Sequence, residues 1–295
     1  MQISLKGISY TYNYKTPYAR EVLKDINLKI DEGSYTVIVG KTGSGKSTLI
    51  EHINGLLLPT KGEVAVDNIL ITNPQSKKER RELAKKLKIL RQDVAVLFQF
   101  SEQQLFETSV LKDIIFAPLN YGVEEEKAIS KAKELIKLVG LDESYLDKSP
   151  FELSGGEMRK VALCGVLALE PKVLILDEPT VALDYQSREE IMAMVKKLKE
   201  EFNMTIVLVT HNMDYVLEYA DKVFVLKNGE ISFEGKVEDL FLNEQVLKEN
   251  SLELPEVLKF YKKLEANNIV LDVFPRKYDE LINTLKNKIG SSRNE

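Results

Sequence analysis

The sequence contains very little cysteine and no long hydrophobic run. Cys164 is the only cysteine among 295 residues, which excludes an internal disulfide framework and a zinc site built from several cysteines, and fits a reducing compartment. No stretch reaches the roughly 18 consecutive apolar residues that a membrane-spanning helix requires. The start, MQISLKGISY, lacks the basic flank and apolar core of a secretion signal. We therefore expect no direct membrane insertion.

An excess of charge of one sign is also missing. The 41 basic and 46 acidic residues leave a net charge of −5, whereas nucleic-acid-binding proteins usually carry a concentrated basic patch. Nucleic acid is therefore not an expected partner. Hydrophobic residues make up 44% of the chain, which is enough for one large folded domain and a small appendage.

Apolar strand patterns alternate with helical patterns along most of the chain. Two early segments, ISLKGISYTY and VLKDINLKI, predict strands, and YTVIVG, VAVLFQ, KVLILD and MTIVLVT predict four more. LIEHINGLLL predicts a helix that Pro59 ends. Alternation of this kind favours parallel pairing in an α/β sheet. Asn228-Gly229, between two apolar runs, predicts a hairpin.

Other segments have mainly helical patterns. Residues 105–170 form a mostly helical block, and residues 245–295 contain two short helical candidates, PEVLKFYKKLEA and KYDELINTLKNKI. The segment SKKERRELAKKLKILR, residues 76–91, places three leucines at helical spacing among many charges. It predicts an amphipathic helix whose charged side is a solvated face.

The segment VIVGKTGSGKSTLI joins a predicted strand to a helix through three glycines. Its spacing, G-x-x-x-x-G-K-[ST], defines a phosphate-binding loop. The glycines let backbone N–H groups approach phosphate oxygens, and the start of the next helix attracts the same anions. Lys46 would reach the β- and γ-phosphates, and the Ser47 hydroxyl would coordinate Mg²⁺.

Two acids follow the buried strand pattern VLILDE. Asp177 would hold Mg²⁺, directly or through water, and Glu178 would orient and deprotonate the attacking water. Paired acids after a strand can also be an ordinary surface turn, but the phosphate loop upstream favours the catalytic interpretation. We therefore expect phosphates and Mg²⁺ to bind here, and the family resemblance described below implies that the cofactors are ATP and Mg²⁺.

The segment LSGGE, residues 153–157, lies between the loop and the acid pair and closely resembles the signature of ATP-binding-cassette (ABC) ATPases. The resemblance covers about residues 1–240 and implies the α/β nucleotide-binding domain of that family. This domain has a RecA-like parallel-sheet core, an N-terminal antiparallel β subdomain and a helical signature subdomain at about residues 105–170. Residues 245–295 would form a small C-terminal appendage that helps to pair the subunits.

The resemblance also implies roles for single residues. Gln99 resembles the glutamine that senses Mg²⁺ and the attacking water, and His211 resembles the switch histidine near the γ-phosphate. Asp184 lies in a segment that resembles the loop between two nucleotide domains. Tyr12 resembles the aromatic residue that stacks on adenine, although three other tyrosines lie in the same region, Tyr10, Tyr14 and Tyr18. The second histidine, His52, is expected to have a packing or surface role.

Three groups of site residues are therefore expected. The catalytic residues are Glu178, His211 and Gln99. The metal ligands are Ser47, Gln99 and Asp177. The nucleotide-binding residues are Tyr12, Gly40, Lys41, Thr42, Gly43, Ser44, Gly45, Lys46, Ser47, Thr48, Ser154, Gly155, Gly156, Glu157 and Asp184.

The sequence departs from the family pattern at two places. The signature ends in Glu157, where glutamine is common, and the added negative charge near a phosphate site questions the catalytic strength of that half-site. The loop around Asp184 reads VALDY, with Val181 and Tyr185 where a small residue and proline are more usual.

Within the ABC group, the flanks of these motifs resemble the ATPases of energy-coupling factor (ECF) transporters, which import vitamins and metal ions. The segments concerned are HINGLLLPTKGEV, FQFSEQQLFETSVLKDIIFAPLNYG and LSGGEMRKVALCGVLALEPKVLILDEPT. The match resembles the second of the two ATPase types in that complex. It implies a peripheral subunit on the cytoplasmic face of the cell membrane, with a transmembrane scaffold subunit and a membrane-embedded substrate-binding subunit as partners.

The chain has one phosphate loop and one signature. In this family the signature of one molecule covers the phosphate loop of another, so a single chain would supply one half of each of two sites. The resemblance favours a heterodimer with a related ATPase over a homodimer. ATP binding would close the pair and hydrolysis would reopen it. The apolar residues near Gln99 would form either a groove for a helix of the membrane partner or part of the core; they are Phe98, Phe100, Leu105 and Phe106.

Three alternatives remain beside the ECF importer. One is the ATPase of another ABC transporter, which co-purification of the membrane partner would distinguish. Another is a soluble nucleotide-switched ABC protein, although neither the long coiled coil nor the second cassette of such proteins is present in the sequence. A small-molecule kinase is the third, but it leaves LSGGE without a role.

Overall fold

The computed structural model describes residues 1–271 and 273–291 and arranges them around two β-sheets. The strands are β1 (Ile3–Tyr12), β2 (Arg20–Ile30), β3 (Tyr35–Val39), β4 (Lys61–Val66), β5 (Ile69–Ile71), β6 (Val94–Leu97), β7 (Val173–Asp177), β8 (Thr205–Val209), β9 (Lys222–Lys227) and β10 (Glu230–Gly235). The helices are α1 (Lys46–Ile53), α2 (Lys77–Asp93), α3 (Val110–Asn120), α4 (Glu125–Leu138), α5 (Gly155–Leu167), α6 (Tyr185–Phe202), α7 (Met213–Tyr219), α8 (Val237–Leu242), α9 (Glu244–Asn250), α10 (Glu256–Ala266) and α11 (Tyr278–Ser291).

The larger sheet has the strand order β10-β9-β3-β8-β7-β6, and every neighbouring pair except β10 and β9 is parallel. All residues of β3, β7 and β8 are buried, as expected for parallel strands that helices cover on both faces. The carboxyl ends of these three adjacent strands open on one edge of the sheet, where open α/β folds bind their ligands.

The smaller sheet is antiparallel, with the order β2-β1-β4-β5. Its apolar side packs with Leu49, Ile50 and Ile53 of α1 and with one face of the larger sheet. The opposite face of the larger sheet packs against helices α3 to α6, which form a second cluster. The α/β class, the parallel core and the N-terminal antiparallel sheet are therefore confirmed.

Several local predictions are also confirmed. The amphipathic helix is α2, in which Leu83, Leu87 and Leu90 are the buried residues. The hairpin is β9 with β10, and both turn residues have the positive φ that such a turn requires, 52° at Asn228 and 84° at Gly229. The two C-terminal candidates are the helices α10 and α11.

The helix after the phosphate loop is shorter than predicted. It ends at Ile53, before Pro59, because Gly55 has a φ of 67° and continues in a turn. A Cβ at Gly55 would lie 2.3 Å from Leu87 Cδ2, so α2 packs directly against this turn. The sequence analysis also missed β4, β5 and the helices α7 to α9, whose three to seven residues are too short for a clear period.

The C-terminal helices pack on the rest of the molecule. Val257, Leu258 and Tyr261 of α10 belong to the same hydrophobic cluster as the helices below the larger sheet. Arg276 donates hydrogen bonds to the Ala220 carbonyl at 3.1 Å and to Glu238 Oε1 at 2.7 Å. Among residues 1–271 and 273–291, no helix is both long and apolar enough to cross a bilayer.

Candidate functional site

The phosphate loop connects the carboxyl end of β3 to α1 and is enclosed by neighbouring backbone. A Cβ at Gly40 would lie 2.2 Å from the Leu226 carbonyl oxygen of β9. A Cβ at Gly45, where φ is 108°, would lie 2.9 Å from Leu23 Cδ2 of β2. Glycine is therefore required at both positions, for space at Gly40 and for space and conformation at Gly45.

Lys46 turns back into this loop. Its Nζ donates hydrogen bonds to the carbonyl oxygens of Gly40 at 2.7 Å and Lys41 at 3.2 Å. Partial burial lowers the pKa of Lys46, while the carboxylates of Glu178 and Asp177 act in the opposite direction. The ammonium group is thus positioned where the loop would surround a phosphate.

Asp177 is the last residue of β7 and is only 5% exposed. Burial raises the pKa of its carboxyl group, the charge of Glu178 adds to this, and a hydrogen bond with the Ser47 side chain and the charge of Lys46 oppose it. Ser47 and Asp177 therefore bring oxygen atoms of two side chains together beside Lys46.

Glu178 and His211 form a second polar pair at the same sheet edge. His211 Nδ1 lies 2.8 Å from Glu178 Oε1, and the ring nitrogen donates because an ionised carboxylate only accepts. Glu178 has a φ of 49°, which is unusual for a residue with a side chain. Its N–H donates to the Val209 carbonyl of β8 at 2.9 Å. The turn thus aims the carboxylate of Glu178 at His211.

An open cleft of about 550 Å³ joins these groups. Its walls contain most of the predicted site residues, namely Tyr12, Thr42, Gly43, Gly45, Lys46, Ser47, Thr48, Gln99, Asp177 and Glu178. A neighbouring cavity of about 640 Å³ contains Gly40, Lys41 and His211. Ser44 is buried behind the loop, and its Oγ would lie 2.8 Å from a Cβ at Gly40.

The N-terminal tyrosines occupy different environments. The hydroxyl of Tyr12 shares a hydrogen bond of 3.1 Å with Thr48 Oγ1 of α1. Tyr18 is 81% exposed and lines the same cleft as Tyr12. Tyr10 packs edge-on against Tyr12 and His52 with centroid distances of 4.8 Å. His52 is fully buried and its Nδ1 lies 2.7 Å from the Thr48 carbonyl oxygen, so its role is packing.

The segment LSGGE lies at the start of α5, and it contributes no described residue to the wall of the cleft around Lys46. Ser154 is the N-cap, and its hydroxyl accepts from the Glu157 N–H at 3.4 Å. Glu157 Oε2 accepts from the Ser154 N–H at 2.8 Å and from its hydroxyl at 2.7 Å. These contacts form a capping box, in which the carboxylate stabilises the helix start. The hydrogen bonds from Ser154 lower the pKa of Glu157.

The loop around Asp184 lies beside the signature. Asp184 caps α6 by accepting from the Ser187 N–H at 3.0 Å and from its hydroxyl at 2.6 Å. A Cβ at Gly156 would lie 2.7 Å from Ser187 Oγ. A Cβ added at Gly155 would have no other atom within 4 Å. The signature and this loop therefore share one surface, apart from the cleft.

The sequence analysis missed Arg159, which connects the signature helix to the site. The residue is 1% exposed, and its guanidinium donates to the carbonyl oxygens of Gln99 at 3.1 Å and Val181 at 2.7 Å and to Glu102 Oε2 at 2.7 Å. A third carbonyl partner is Pro179, at 3.0 Å. The available signal was a charged residue at the start of the apolar segment VALCGVL.

The apolar residues near Gln99 divide into two groups. Leu105 is buried and Phe98 is partly buried against the core, whereas Phe100 and Phe106 are 47% and 59% exposed. Phe106 contacts Phe116 of α3 edge-on at a centroid distance of 4.9 Å. Phe116 and Leu119 of α3 are themselves 44% and 41% exposed. We call Phe100, Phe106, Phe116 and Leu119 the apolar surface.

Known proteins resemble this chain in both sequence and structure. A family model described as "ABC transporter" matches residues 23–181. The "Energy-coupling factor transporter ATP-binding protein EcfA2" of Enterococcus faecalis is 49% identical over 289 residues, 98% of each chain. The protein of the same name from Ligilactobacillus salivarius is 47% identical over 296 residues, 100% of each chain.

Two solved structures have the same fold. The structure of cbiO1 from Clostridium perfringens, described as part of the ABC transporter complex cbiONQ, aligns with a TM-score of 0.70 and 34% identity over 88% of this chain and 98% of that chain. A dimeric post-hydrolysis state of the ATP-binding cassette MJ0796, bound to ADP and Pi, aligns with a TM-score of 0.69 and 32% identity over 80% and 98%. The chain is an ATP-binding ATPase that belongs to the ABC transporter family, and within it to the ATP-binding proteins of energy-coupling factor transporters.

Proposed function

We propose that this ATPase uses Glu178 to activate the attacking water in the cleft around Lys46. The supporting observation is the meeting of three strand ends, which brings the phosphate loop, the two acids and His211 to one edge of the sheet. Glu178 Oε1 would accept the proton of the water. His211 Nδ1, 2.8 Å away, would keep this carboxylate oriented.

The phosphate loop would bind the nucleotide through its backbone and through Lys46. The Lys46 ammonium would exchange its two carbonyl partners for the β- and γ-phosphates. The residues proposed for the nucleotide are Tyr12, Gly40, Lys41, Thr42, Gly43, Ser44, Gly45, Lys46, Ser47 and Thr48. Ser44 would act through its backbone, since its side chain is buried.

The residues beside the phosphate loop fit Mg²⁺. Ser47, Gln99 and Asp177 line the same cleft, the Ser47 side chain acts to lower the pKa of the Asp177 carboxyl group, and oxygen donors of this kind are what Mg²⁺ prefers. Ser47, Gln99 and Asp177 are therefore proposed as its ligands, directly or through water. The bound ion would neutralise charge on the phosphates during hydrolysis.

The signature surface supports pairing with a second, related ATPase. Because Ser154 lies at a surface apart from the cleft of its own chain, it would act on a nucleotide bound by a partner. The residues proposed for that contact are Ser154, Gly155, Gly156, Glu157 and Asp184. A heterodimer is proposed because the relatives from Enterococcus faecalis and Ligilactobacillus salivarius carry the name of one ATPase type.

The apolar surface would receive a helix of a transmembrane scaffold subunit, with a membrane-embedded substrate-binding subunit in the same complex. Arg159 belongs to the signature helix α5 and donates hydrogen bonds to the carbonyl oxygens of Val181 and of Gln99, which directly precedes Phe100. It would therefore couple the apolar surface to the signature. The chain would thus act as a peripheral subunit at the cytoplasmic face of the membrane. Closure of the ATPase pair would drive uptake of a vitamin or a metal ion.

We propose residues 1–240 as the ATPase domain, with the helical part at about 105–170, and residues 245–295 as an appendage for pairing. The support for the appendage is its exposed apolar side chains, among them Val270, Val273 and Tyr278, which are 57%, 51% and 52% exposed. Such a group of apolar residues is typical of an interaction surface.

The test is phosphate release by the reconstituted membrane complex carrying Glu178→Gln. Turnover should fall by about 10² to 10⁴, the range for a lost general base, while ATP binding is retained. The control is Glu201→Gln, which removes an exposed carboxylate of α6 and should leave turnover unchanged. Undiminished turnover of the Glu178 variant would exclude that residue as the base, and a phosphorylated small molecule as product would indicate a kinase.

A further inference from the structure

Helix α2 carries a row of cations along its outer side. Lys77, Arg81, Lys85 and Lys88 follow at spacings of four, four and three residues, so they lie on one side of the helix. All four are exposed, and the buried leucines of α2 lie on the other side. We call these four residues the cationic stripe. At a rise of about 1.5 Å per residue it is roughly 16 Å long.

Within the described part of the chain, the cations of the stripe lack the acidic partners that several lysines of other helices have. On α6, for example, Lys196 lies 3.8 Å from Glu200 and Lys197 lies 3.8 Å from Glu201. No cation of the stripe forms an ion pair with any residue in 1–271 or 273–291. Like charges at i,i+4 destabilise a helix.

Exposure to solvent alone does not explain why the four residues all carry the same charge. A solvated helix face can carry charges of both signs, and the whole chain has more acidic than basic residues. Local features that oppose stability are typical of functional surfaces. An external anionic partner would remove the repulsion among the four side chains.

One end of the stripe lies beside α3, which carries part of the apolar surface. Lys88 Nζ lies 5.5 Å from the ring centroid of Tyr121, which directly follows α3. Phe116 and Leu119 of the apolar surface belong to α3. The stripe therefore lies near the surface that, in the proposed function, meets the membrane partner.

We propose that the cationic stripe contacts the headgroups of anionic phospholipids when the subunit is at the membrane. The proposal rests on the proposed function for the orientation of the chain. The cytoplasmic leaflet attracts basic segments within a Debye length. The stripe has no aromatic residue that would anchor a protein partner, so the contact is electrostatic and does not involve insertion.

The experiment is flotation of the purified full chain with vesicles of phosphatidylcholine alone or mixed with phosphatidylglycerol. The wild type should bind only the mixed vesicles, and added salt should weaken binding. The variant Lys77→Gln, Arg81→Gln, Lys85→Gln, Lys88→Gln should bind at least about tenfold more weakly, since each cation near an anionic surface contributes about fivefold.

The matched control removes four paired cations from other helices, by Lys127→Gln, Lys133→Gln, Lys196→Gln and Lys197→Gln. It changes the net charge equally and should bind like the wild type. Equal binding of the two variants, or no preference of the wild type for phosphatidylglycerol, would overturn the proposal. Binding of RNA or polyglutamate, with no binding to vesicles, would also overturn it.

Two further measurements separate this proposal from the proposed function. Thermal unfolding of the stripe variant should occur at the wild-type temperature or slightly above, because repulsion has been removed. ATP hydrolysis by the detergent-solubilised complex should be equal for the stripe variant and the wild type. If the wild-type complex hydrolyses no ATP, the proposed function fails, whatever the vesicles show.

Discussion

The Tyr145 hydroxyl donates a hydrogen bond to Glu157 Oε1 at 2.7 Å, while the other oxygen of that carboxylate bonds Ser154. Glutamate at the last position of the signature is thus held from two sides. Its charge is directed at the N–H groups that begin α5, where a negative charge is favourable. This arrangement explains how the signature accommodates an acid where glutamine is common.

Glu157→Gln should reduce stability in a pH-dependent way. Hydrogen bonds hold the pKa of Glu157 below its ordinary value of 4.5, so the ionised form stabilises the fold above that pH. The variant should be less stable by about 0.3 to 1 kcal/mol at neutral pH, the usual contribution of a charge at a helix N-terminus. The difference should vanish as the pH falls through the lowered pKa. Urea unfolding between pH 7 and about pH 3 tests this.

A suitable control is Glu63→Gln, which changes an exposed carboxylate that lies 3.8 Å from Lys6. A Glu157 effect that stayed constant over the whole pH range would contradict the role assigned to its charge.

His211→Ala should slow ATP hydrolysis and preserve ATP binding. The substitution removes the donor 2.8 Å from Glu178 Oε1, so Glu178, the proposed base, is less well oriented but still present. Turnover should fall about tenfold or more, which is less than the ~10² to 10⁴ expected for loss of the base itself. Single-turnover phosphate release measures the rate, and equilibrium binding of labelled ATP measures affinity. A loss of affinity with unchanged turnover would assign His211 to binding.

Arg159→Met should destabilise the fold strongly. The guanidinium is buried and pairs with Glu102, whose side chain is 22% exposed, and removal of one member of a buried pair costs about 3 to 5 kcal/mol. Chemical denaturation gives the free energy of unfolding. Arg80→Met, at an exposed position of α2, should change it by less than about 0.5 kcal/mol. Similar values for the two variants would argue against the network.

Two glycine substitutions should affect different properties, one the binding of ATP and the other the stability of the fold. Gly40→Ala would place a Cβ 2.2 Å from a backbone oxygen, so the phosphate loop would shift and ATP binding should be lost. Gly165→Ala lies inside α5, where the added Cβ would lie 3.9 Å from the nearest atom outside the helix backbone, the Asp113 carbonyl oxygen, and it should stabilise the protein by about 0.5 to 1 kcal/mol. Calorimetric titration and thermal unfolding provide the two measurements. Normal ATP affinity of the Gly40 variant would be inconsistent with the described loop.

Substitution of the two cleft tyrosines should identify the one that stacks on adenine. Tyr12 is fixed to Thr48 by a hydrogen bond, whereas Tyr18 is 81% exposed. Tyr12→Ala should therefore weaken ATP binding about tenfold, within the range of 1 to 3 kcal/mol for stacking on an aromatic ring. Tyr18→Ala should have little effect. The reverse result would assign the base to Tyr18.

The sequence predicted the parts of the site that depend on local spacing. Lys46 and Ser47 follow from the glycine pattern, and Asp177 follows from the apolar strand before it. Gln99 and His211 required a family resemblance, because neither occurs in a local pattern with a distinctive chemistry. The role of Arg159 depends on three carbonyl groups from two distant segments, which no local pattern reveals.

The same limit applies to the fold. The long amphipathic helix α2 was predictable from its buried leucines, but β5 has only three residues and is held by its pairing with β4. The early end of α1 at Ile53 depends on Gly55, which packs against Leu87 of α2. Tertiary contacts of this kind override local preference.

The position of β3 has a consequence for synthesis of the protein. This strand lies between β8 and β9. The Leu226 carbonyl of β9 packs directly against Gly40 at the end of β3. We therefore expect the cleft around Lys46 to form on the ribosome only after the chain has been translated beyond about residue 227 and has left the exit tunnel. Nascent chains stalled earlier should be protease-sensitive whether or not ATP is added, and a premature stop codon before β9 should abolish the pocket although every phosphate-loop residue is present.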